Sequence, residues 1–355
     1  MRVEPEIDQQ RLRDYLADSY GVKVRELAYV PQGEVAYNYI IRSESDHPSV
    51  GGHGEGQRYV LKLLDPSRLA GLAAARMQVA VPLLLEMRGR RLLTHVPQPV
   101  ATCEGQPTGI FDDFTVVVLR HVEGSNPDDA TLHRPDVWAQ LAGLVARLHA
   151  ATSSVRTRCP YLETYELPFE RDLVMGMRTL ARVLPGAREG IRDLQRLLLP
   201  YADTVAALLA RTKNLALLAR RLAPPQVLCH TDIHAMNLLI DDRDTLTLLD
   251  WEGVKLAPAE HDLFAFNGDD LPAFLEAYWR AGGVRQLNAD VFGFYFYRRN
   301  LEDLTDWLVR ILYENRSAVQ DQVDLAGLRS DCIDGWPYLA PATEQIRRQL
   351  EMLIT

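Results

Sequence analysis

VLCHTDIHAMNLLIDDRDTLTLLDWEG, residues 227–253, sets His230, Asp232, His234 and Asn237 between two apolar runs, and closes a third run with Asp250. Polar groups at the ends of segments this hydrophobic cost desolvation energy unless something engages them. Their spacing is His-x-Asp-x-x-x-x-Asn, a short strand, a turn, then Asp at the end of a second strand. Carboxylate and amide oxygens are hard ligands suited to Mg²⁺, which prefers oxygen donors and keeps several waters. A strand-ending Asp250 and an Asn237 at the foot of the preceding loop can converge on such an ion. Asp232, five residues before Asn237, then lies further out, placed to accept a proton from an attacking hydroxyl. A plainer reading exists for each part. His230 and His234 can be hydrogen-bonded core histidines, and Asp241, Asp242 and Asp244 a solvated hairpin turn. Taken singly, Asp232, Asn237 and Asp250 each admit a structural role. The whole spacing, followed by a strand that ends in Asp-Trp-Glu, favours catalysis.

With 355 residues the chain is long for one domain and comfortable for two. The 47% hydrophobic and 25% charged shares are those of a soluble globular protein. No apolar run approaches the roughly 20 residues of a membrane span, and the acidic, amphipathic N-terminus lacks the apolar core of a signal peptide. Cys103, Cys159, Cys229 and Cys332 are scattered without metal-ligand spacing, which reads as thiols of a reducing, cytoplasmic compartment. A net charge of −9 speaks weakly against nucleic acid and weakly for a cationic partner.

Working outward from the motif, the first third alternates strand and helix patterns. IDQQRLRDYLADSYG is helical with a stop at Gly21; VRELAYVPQG, VAYNYIIR and RYVLKLLD are strands; TGIFDD and FTVVVLRHV close the region as strands. The Gly-, Ser- and His-rich run at 43–57 is a hairpin loop by composition. LAGLAAARMQVAVPLLLEMRGR is helical, with a break or a second helix expected at Pro82. After EGSNPDDA the pattern turns to long helices, at 134–152, 188–222, 271–283 and 289–315, with NLLI and LTLLD as the strand signals. The fold class expected is α+β: a small antiparallel-sheet lobe over 1–122, including a crossing segment, and a larger helical lobe over 123–355.

HTDIHAMN and LLDWEG resemble the catalytic and metal-binding loops of the aminoglycoside phosphotransferase family, whose two-lobed fold is similar to that of protein kinases. They stand where kinases carry H-R-D-x-x-x-x-N and D-F-G. CHTDIHAMNLLI with LLDWEGVKLAPAEHDL, and the helix FYRRNLEDL, resemble most closely the spectinomycin phosphotransferase branch of that family. The resemblance implies Asp232 as catalytic base or hydroxyl-orienting group, Asn237 and Asp250 as Mg²⁺ holders, and His230 as a brace.

Such a fold must also supply a lysine for the phosphates. Lys62 sits in the apolar strand RYVLKLL, where an ammonium either snorkels at an edge or meets phosphate; the downstream motif favours phosphate. The turn at Gly33 is a poor glycine-rich loop, but its position between the first two strands makes it the candidate phosphate cover. Kinases pair the lysine with a helix glutamate; here Gln78 stands where that glutamate is due, and Glu86 lies two turns later, so either can serve. Backbone near Leu119 to Val122 should meet the nucleotide base, leaving ATP and GTP both open.

For a cationic acceptor, acids are available at Asp269 and Asp270, and at Glu302, Asp303 and Asp306. Glu302 and Asp306 share a helix face, yet Arg298 and Arg299 one turn earlier can make it a salt-bridged face instead. The aromatic run FGFYFY and Trp307 read chiefly as core, with a ring or two available to a sugar pocket. The expectation is therefore a nucleotide- and Mg²⁺-dependent phosphotransferase, a monomer or weak dimer, acting on a hydroxyl of a small cationic aminocyclitol or aminoglycoside, without nucleic-acid or membrane partners. A metabolic kinase for choline, homoserine or a sugar is the alternative. A nucleotide-binding pseudokinase is a third reading, opposed by the complete set Lys62, Asp232, Asn237 and Asp250.

Overall fold

The computed structural model describes residues 4–31, 35–44, 56–315 and 317–354, so Gly33 and most of the loop at 43–57 lie outside the described residues. The chain forms two compact units. One comprises Met1–Leu162, Val227–Leu256 and Ala277–Gly283; the other comprises Glu163–Gln226, Ala257–Glu276 and Val284–Thr355. The motif at 227–253 falls in the same unit as the strands before residue 121.

In the first unit, helix α1 (Gln9–Tyr20) starts on Asp8, whose carboxylate accepts from the N–H groups of Gln10 and Arg11. It ends on Gly21 at φ 67°, a left-handed cap for which glycine carries no Cβ penalty. Strands β1 (Val24–Val30), β2 (Tyr37–Ser43), β3 (Arg58–Leu64), β4 (Pro99–Val100), β5 (Gly109–Phe111) and β6 (Phe114–Arg120) form one antiparallel sheet, ordered β1-β2-β3-β6-β4 with β5 on β6. Strand periodicity decides what each face carries. Tyr59, Leu61 and Leu63 of β3 join Leu12, Leu16 and Tyr20 of α1 in a core with Tyr39, Ile41, Val116 and Val118. Leu61 and Leu63 are fully buried, and truncating either to alanine would cost about 2–5 kcal/mol. Val60 and Lys62 alternate to the opposite face. Lys62 lies opposite Asn38 of β2 and Val117 of β6, so strands on both sides fix its backbone.

Helix α2 (Arg68–Gly89) runs straight through Pro82, so the expected break does not occur. Proline removes the N–H that would bond the carbonyl four residues back. Burial of Ala73, Met77, Ala80, Val81, Leu83, Leu84 and Met87 offsets that loss. The stretch Ala70–Gly89 is also long and apolar enough, by length and hydropathy, to match a membrane span, contrary to the expectation that no run approaches one. Its hydrophobicity is used here to pack a core helix. Helices α3 (Asp129–Leu132) and α4 (Pro135–Ala151) follow. Strands β8 (Leu238–Ile240) and β9 (Leu246–Leu248) form the anticipated hairpin, its turn closed by the Asp241 carboxylate accepting from Arg243 and Thr245 N–H groups. Strands β7 (Gln226–Cys229) and β10 (Lys255–Pro258), which pair with each other, were not anticipated. Four residues are too few to display a period, and β10 ends in proline.

The second unit is helical: α5 (Glu170–Leu180), α6 (Glu189–Leu198), α7 (Ala202–Leu222), α8 (Glu260–Leu263), most of α9 (Leu271–Arg280), α10 (Ala289–Val309), α11 (Ala318–Gly327) and α12 (Trp336–Ile354). The region 188–222 is two helices joined by a tight turn at Leu199–Tyr201, where Pro200 interrupts the hydrogen-bond ladder. Leu173, Leu180, Leu194, Leu198, Leu301, Leu304 and Leu308 make one core cluster. Phe294, Tyr295 and Tyr297 make another with α7, so these rings of the aromatic run are core. The six-stranded antiparallel sheet is built from residues before 121 and helices dominate the rest of the chain, which is the α+β class expected.

Candidate active site

The face of the sheet away from α1 lines a cavity of about 390 Å³, whose walls include Lys62 and Asn38 from the strands, Leu119 and Val122 from the crossing segment, and Asn237, Asp250 and Trp251 from the motif. Lys62 Nζ donates to Asp250 Oδ1 at 2.7 Å and to Glu252 Oε1 at 2.8 Å. Burial opposes the ammonium charge, but Asp250 and then Glu252 outweigh it, and the lysine pKa lies above its ordinary value. Lys62 in turn holds the Asp250 carboxyl below its usual range, against the opposing effect of burial.

Neither helix candidate reaches this lysine. Gln78 donates to Thr108 Oγ1. Glu86 accepts from the N–H groups of Arg156 and Thr157 at 2.7 Å each and from Arg90 at 2.8 Å. Those bonds overcome desolvation and pull its pKa down to about 2.

The loop between β7 and β8 is held by its own polar groups. Asn237 Nδ2 donates to the Asp232 carbonyl at 2.9 Å and to Asp232 Oδ2 at 3.1 Å, while the Leu249 N–H donates to the Asn237 carbonyl at 2.7 Å. His234 Nε2 stands 3.4 Å from Asp232 Oδ2. His230 is fully buried. Its Nε2 lies 2.7 Å from the Leu249 carbonyl, and the Asp232 N–H donates to its Nδ1 at 3.3 Å. A carbonyl only accepts and an amide N–H only donates, which assigns a neutral ring protonated at Nε2. The ring stands edge-on to Trp251 at 5.0 Å, and Trp251 Nε1 donates to the Leu248 carbonyl at 2.9 Å. His230 is therefore the brace the resemblance implied.

Two backbone outliers sit in these loops: Thr231 at φ 78° and Asp250 at φ 59°. Left-handed conformations cost of order 1–3 kcal/mol outside glycine and persist where surroundings enforce them. The enforcing contact is visible. Thr231 Oγ1 donates to the Gly253 carbonyl at 3.0 Å, and a Cβ on Gly253 would fall 2.3 Å from that hydroxyl. Just after the crossing segment, Asn126 Nδ2 donates to the carbonyls of Met236 at 2.9 Å and Leu238 at 2.8 Å, and Ser125 exchanges two backbone bonds with Ile240. The chain at 125–126 is thereby fastened to β8 and to the loop before it.

Lys62, Asn237, Asp250, Leu119 and Val122 thus line one cavity, with Asp232 bonded to Asn237 at its wall. Gly33 lies outside the described residues. None of the five acceptor candidates is among the lining residues, and all five belong to the second unit. Asp269 accepts from Gln345 at 3.0 Å, and the exposed Asp270 precedes α9. Arg299 pairs with Asp303 at 2.9 Å. Arg298 is held by the buried Glu163 at 3.0 Å and stands 4.0 Å from Glu302. Asp306 is exposed on α10. Glu252, Thr231, Gly253 and Asn126 were not among the residues expected at the site. An acid two places after Asp250 was a usable signal for Glu252; nothing in the local pattern marked Asn126.

The model of the phosphotransferase enzyme family matches residues 50–304. No curated protein matches the sequence. Among solved structures, spectinomycin phosphotransferase in complex with ADP and spectinomycin superposes with a TM-score of 0.72 at 18% identity, over 96% of this chain and 100% of that one. An aminoglycoside phosphotransferase from Alicyclobacillus acidocaldarius gives 0.63 at 18% identity, over 99% and 98%. Plasmodium vivax ethanolamine kinase gives 0.59 at 12% identity, over 95% and 98%. At these identities the likeness is one of fold, the kinase-like α+β fold. The family match covers more than half of the chain, and the protein belongs to the phosphotransferase enzyme family.

Proposed function

We propose that this phosphotransferase moves the γ-phosphoryl group of ATP or GTP to a hydroxyl of a small cationic aminocyclitol or aminoglycoside, acting in the cytoplasm and conferring resistance to such a compound. The observation that carries the reading is the convergence of Lys62, Asn237 and Asp250 on one cavity, with Asp232 bonded to Asn237 beside them. Residues 1–122 would serve the nucleotide and 123–355 the catalytic loop and acceptor.

Phosphoryl transfer needs positioning and charge stabilisation more than covalent help. Lys62 would meet the phosphates, and the backbone at Leu119 to Val122 the base. Asp232 would orient the acceptor hydroxyl and take its proton, its carboxylate aimed by Asn237. The donor set also fits a hard cation. Asn237 spends its amide N–H groups on Asp232 and His234, leaving Oδ1 as a ligand, and Asp250 engages Lys62 through Oδ1, leaving Oδ2. Mg²⁺ bound there would supply neutralisation of phosphate charge.

Support for the acceptor class comes from the motif resemblance and from the fold shared with a spectinomycin-bound phosphotransferase. A metabolic kinase for choline or a similar alcohol is the second reading. It is favoured by the pairing of Asp303 with Arg299, which withdraws one carboxylate from a polycationic acceptor, and by the ethanolamine kinase fold match. A coupled nucleotide-consumption screen over aminocyclitols, aminoglycosides, choline, ethanolamine and simple sugars decides between them. Turnover with none of these acceptors would sink both.

A further inference from the structure

Helix α2 presents no carboxylate to the lysine. The α2 residues that line the cavity are Met77 and Leu84, seven positions apart and so on one helix face, and both are buried. Gln78 and Glu86 are engaged elsewhere, with Thr108 and with the backbone of Arg156 and Thr157. Protein kinases fix the equivalent lysine with a glutamate from the helix. Here the carboxylates bonded to Lys62 are Asp250 and Glu252, both from the loop after β9.

These two acids are not equivalent. Asp250 is the strand-ending acid assigned to the cation, and an ion on it competes with the ammonium. Glu252 is more enclosed, with its side chain 19% exposed against 42% for Asp250. Its backbone is also pinned. It lies in the tight turn Trp251–Gly253, which is tied to Thr231 through Gly253, and Arg76 of α2 reaches the Glu252 carbonyl at 3.5 Å.

We propose that Glu252 is the positioning residue for Lys62, replacing the helix glutamate of kinases with a carboxylate from the Asp-Trp-Glu loop. The inference rests on the phosphotransferase reading above. It makes the carboxylate that places the lysine a part of the motif loops, with α2 touching it only through Arg76 at the Glu252 carbonyl.

The test is nucleotide affinity by calorimetry, for ATP in EDTA and for ATP with Mg²⁺. Lys62 meets phosphate without metal, so Glu252→Gln should weaken binding roughly tenfold in both conditions. The melting temperature of the nucleotide-free variant should stay within a few degrees of the parent. Glu252→Asp, which keeps the charge on a shorter arm, should lose less, and it decides the matter if the Gln variant does not fold. In the Lys62→Met background the Glu252→Gln loss should largely disappear. Loss confined to the Mg²⁺ condition would instead make Glu252 a metal ligand, and losses that add in the double variant would show that it acts apart from Lys62. Either result overturns the proposal, as does unchanged affinity in Glu252→Gln. Failure of the underlying function would look different: the unvaried protein itself would bind no nucleotide.

Discussion

Thr231 Oγ1 donates to the Gly253 carbonyl at 3.0 Å, and this contact closes the two motif loops on each other at a separation that leaves no room for a side chain. A methyl group at Gly253 would also fall 2.8 Å from the His230 carbonyl. The glycine after Asp-Trp-Glu is thus required by close approach, since its own backbone is not in the left-handed region. Gly253→Ala should force the loops apart, costing about 1–3 kcal/mol of stability. Misplacing Asp250 relative to Asp232 by even an ångström should lower turnover by up to about 10²-fold. Thermal melts and steady-state rates on the acceptor found by screening check both numbers. Full activity in this variant would show that the loops tolerate separation.

Asp232→Asn should abolish turnover while leaving nucleotide binding nearly intact. Its carboxylate is bonded by Asn237 and neighboured by His234, and it is not among the cavity-lining groups. Removing a general base should cost on the order of 10²-fold or more in kcat. A variant that kept more than a tenth of the parent kcat would refute the role.

Asp250→Ala is a different lesion. It removes the carboxylate proposed to hold the cation together with a partner of Lys62. Mg²⁺-dependent affinity for a non-hydrolysable nucleotide should fall along with the rate. Calorimetric titration that finds affinity unchanged would count against the metal role.

Most of this arrangement could be read before any coordinates existed, and the unread parts have physical causes. Lys62 in RYVLKLL was legible because strand alternation sends it to the face opposite Tyr59, Leu61 and Leu63. Asp232, Asn237 and Asp250 were legible because their spacing encodes a loop, a hairpin and a strand end. The lysine's partner was not. Kinases keep it on the helix that corresponds to α2, and sequence does not say which helix face meets the cavity. Pro82 was misread for a similar reason, since a proline penalty of about 3 kcal/mol is outweighed when seven neighbouring side chains are buried. Strands β7 and β10 are simply too short to show a period.

Glu260 gives a pH test of the second unit. It is 1% exposed, accepts from the Asn288 N–H at 2.8 Å, and burial raises its pKa from 4.5 to about 7 despite that bond. The folded protein therefore holds a proton that the unfolded chain releases from about pH 4.5 upward. Stability associated with the neutral form is fully present below that pH and is lost as pH rises through about 7. Glu260→Gln keeps the acceptor oxygen and has no proton to release. It should match the parent near pH 4.5 and exceed it above pH 7 by about 3 kcal/mol at most. Denaturant melts at both pH values measure the difference. An equal gap at both would mean that this carboxyl titrates as it does in the unfolded chain.

The acceptor is tested through α10. Arg299 already pairs with Asp303 at 2.9 Å, so Asp303→Asn should leave the acceptor KM unchanged. Glu302 is differently placed, because Arg298 is committed to the buried Glu163 and stands 4.0 Å away. Asp306, one turn on and exposed, shares its face. If this face binds a protonated amine, Glu302→Gln and Asp306→Asn should each raise KM for the cationic acceptor severalfold and leave nucleotide KM alone. A contact worth roughly 1 kcal/mol is a factor of about five. The acceptor KM of the parent should also rise with ionic strength, since screening acts over about 10 Å at 0.1 M salt. Unaltered acceptor KM in all three variants would remove α10 from the acceptor site and turn the same mutagenesis to Asp269 and Asp270. Of those, Asp269 is the weaker candidate, because Gln345 already occupies one of its oxygens.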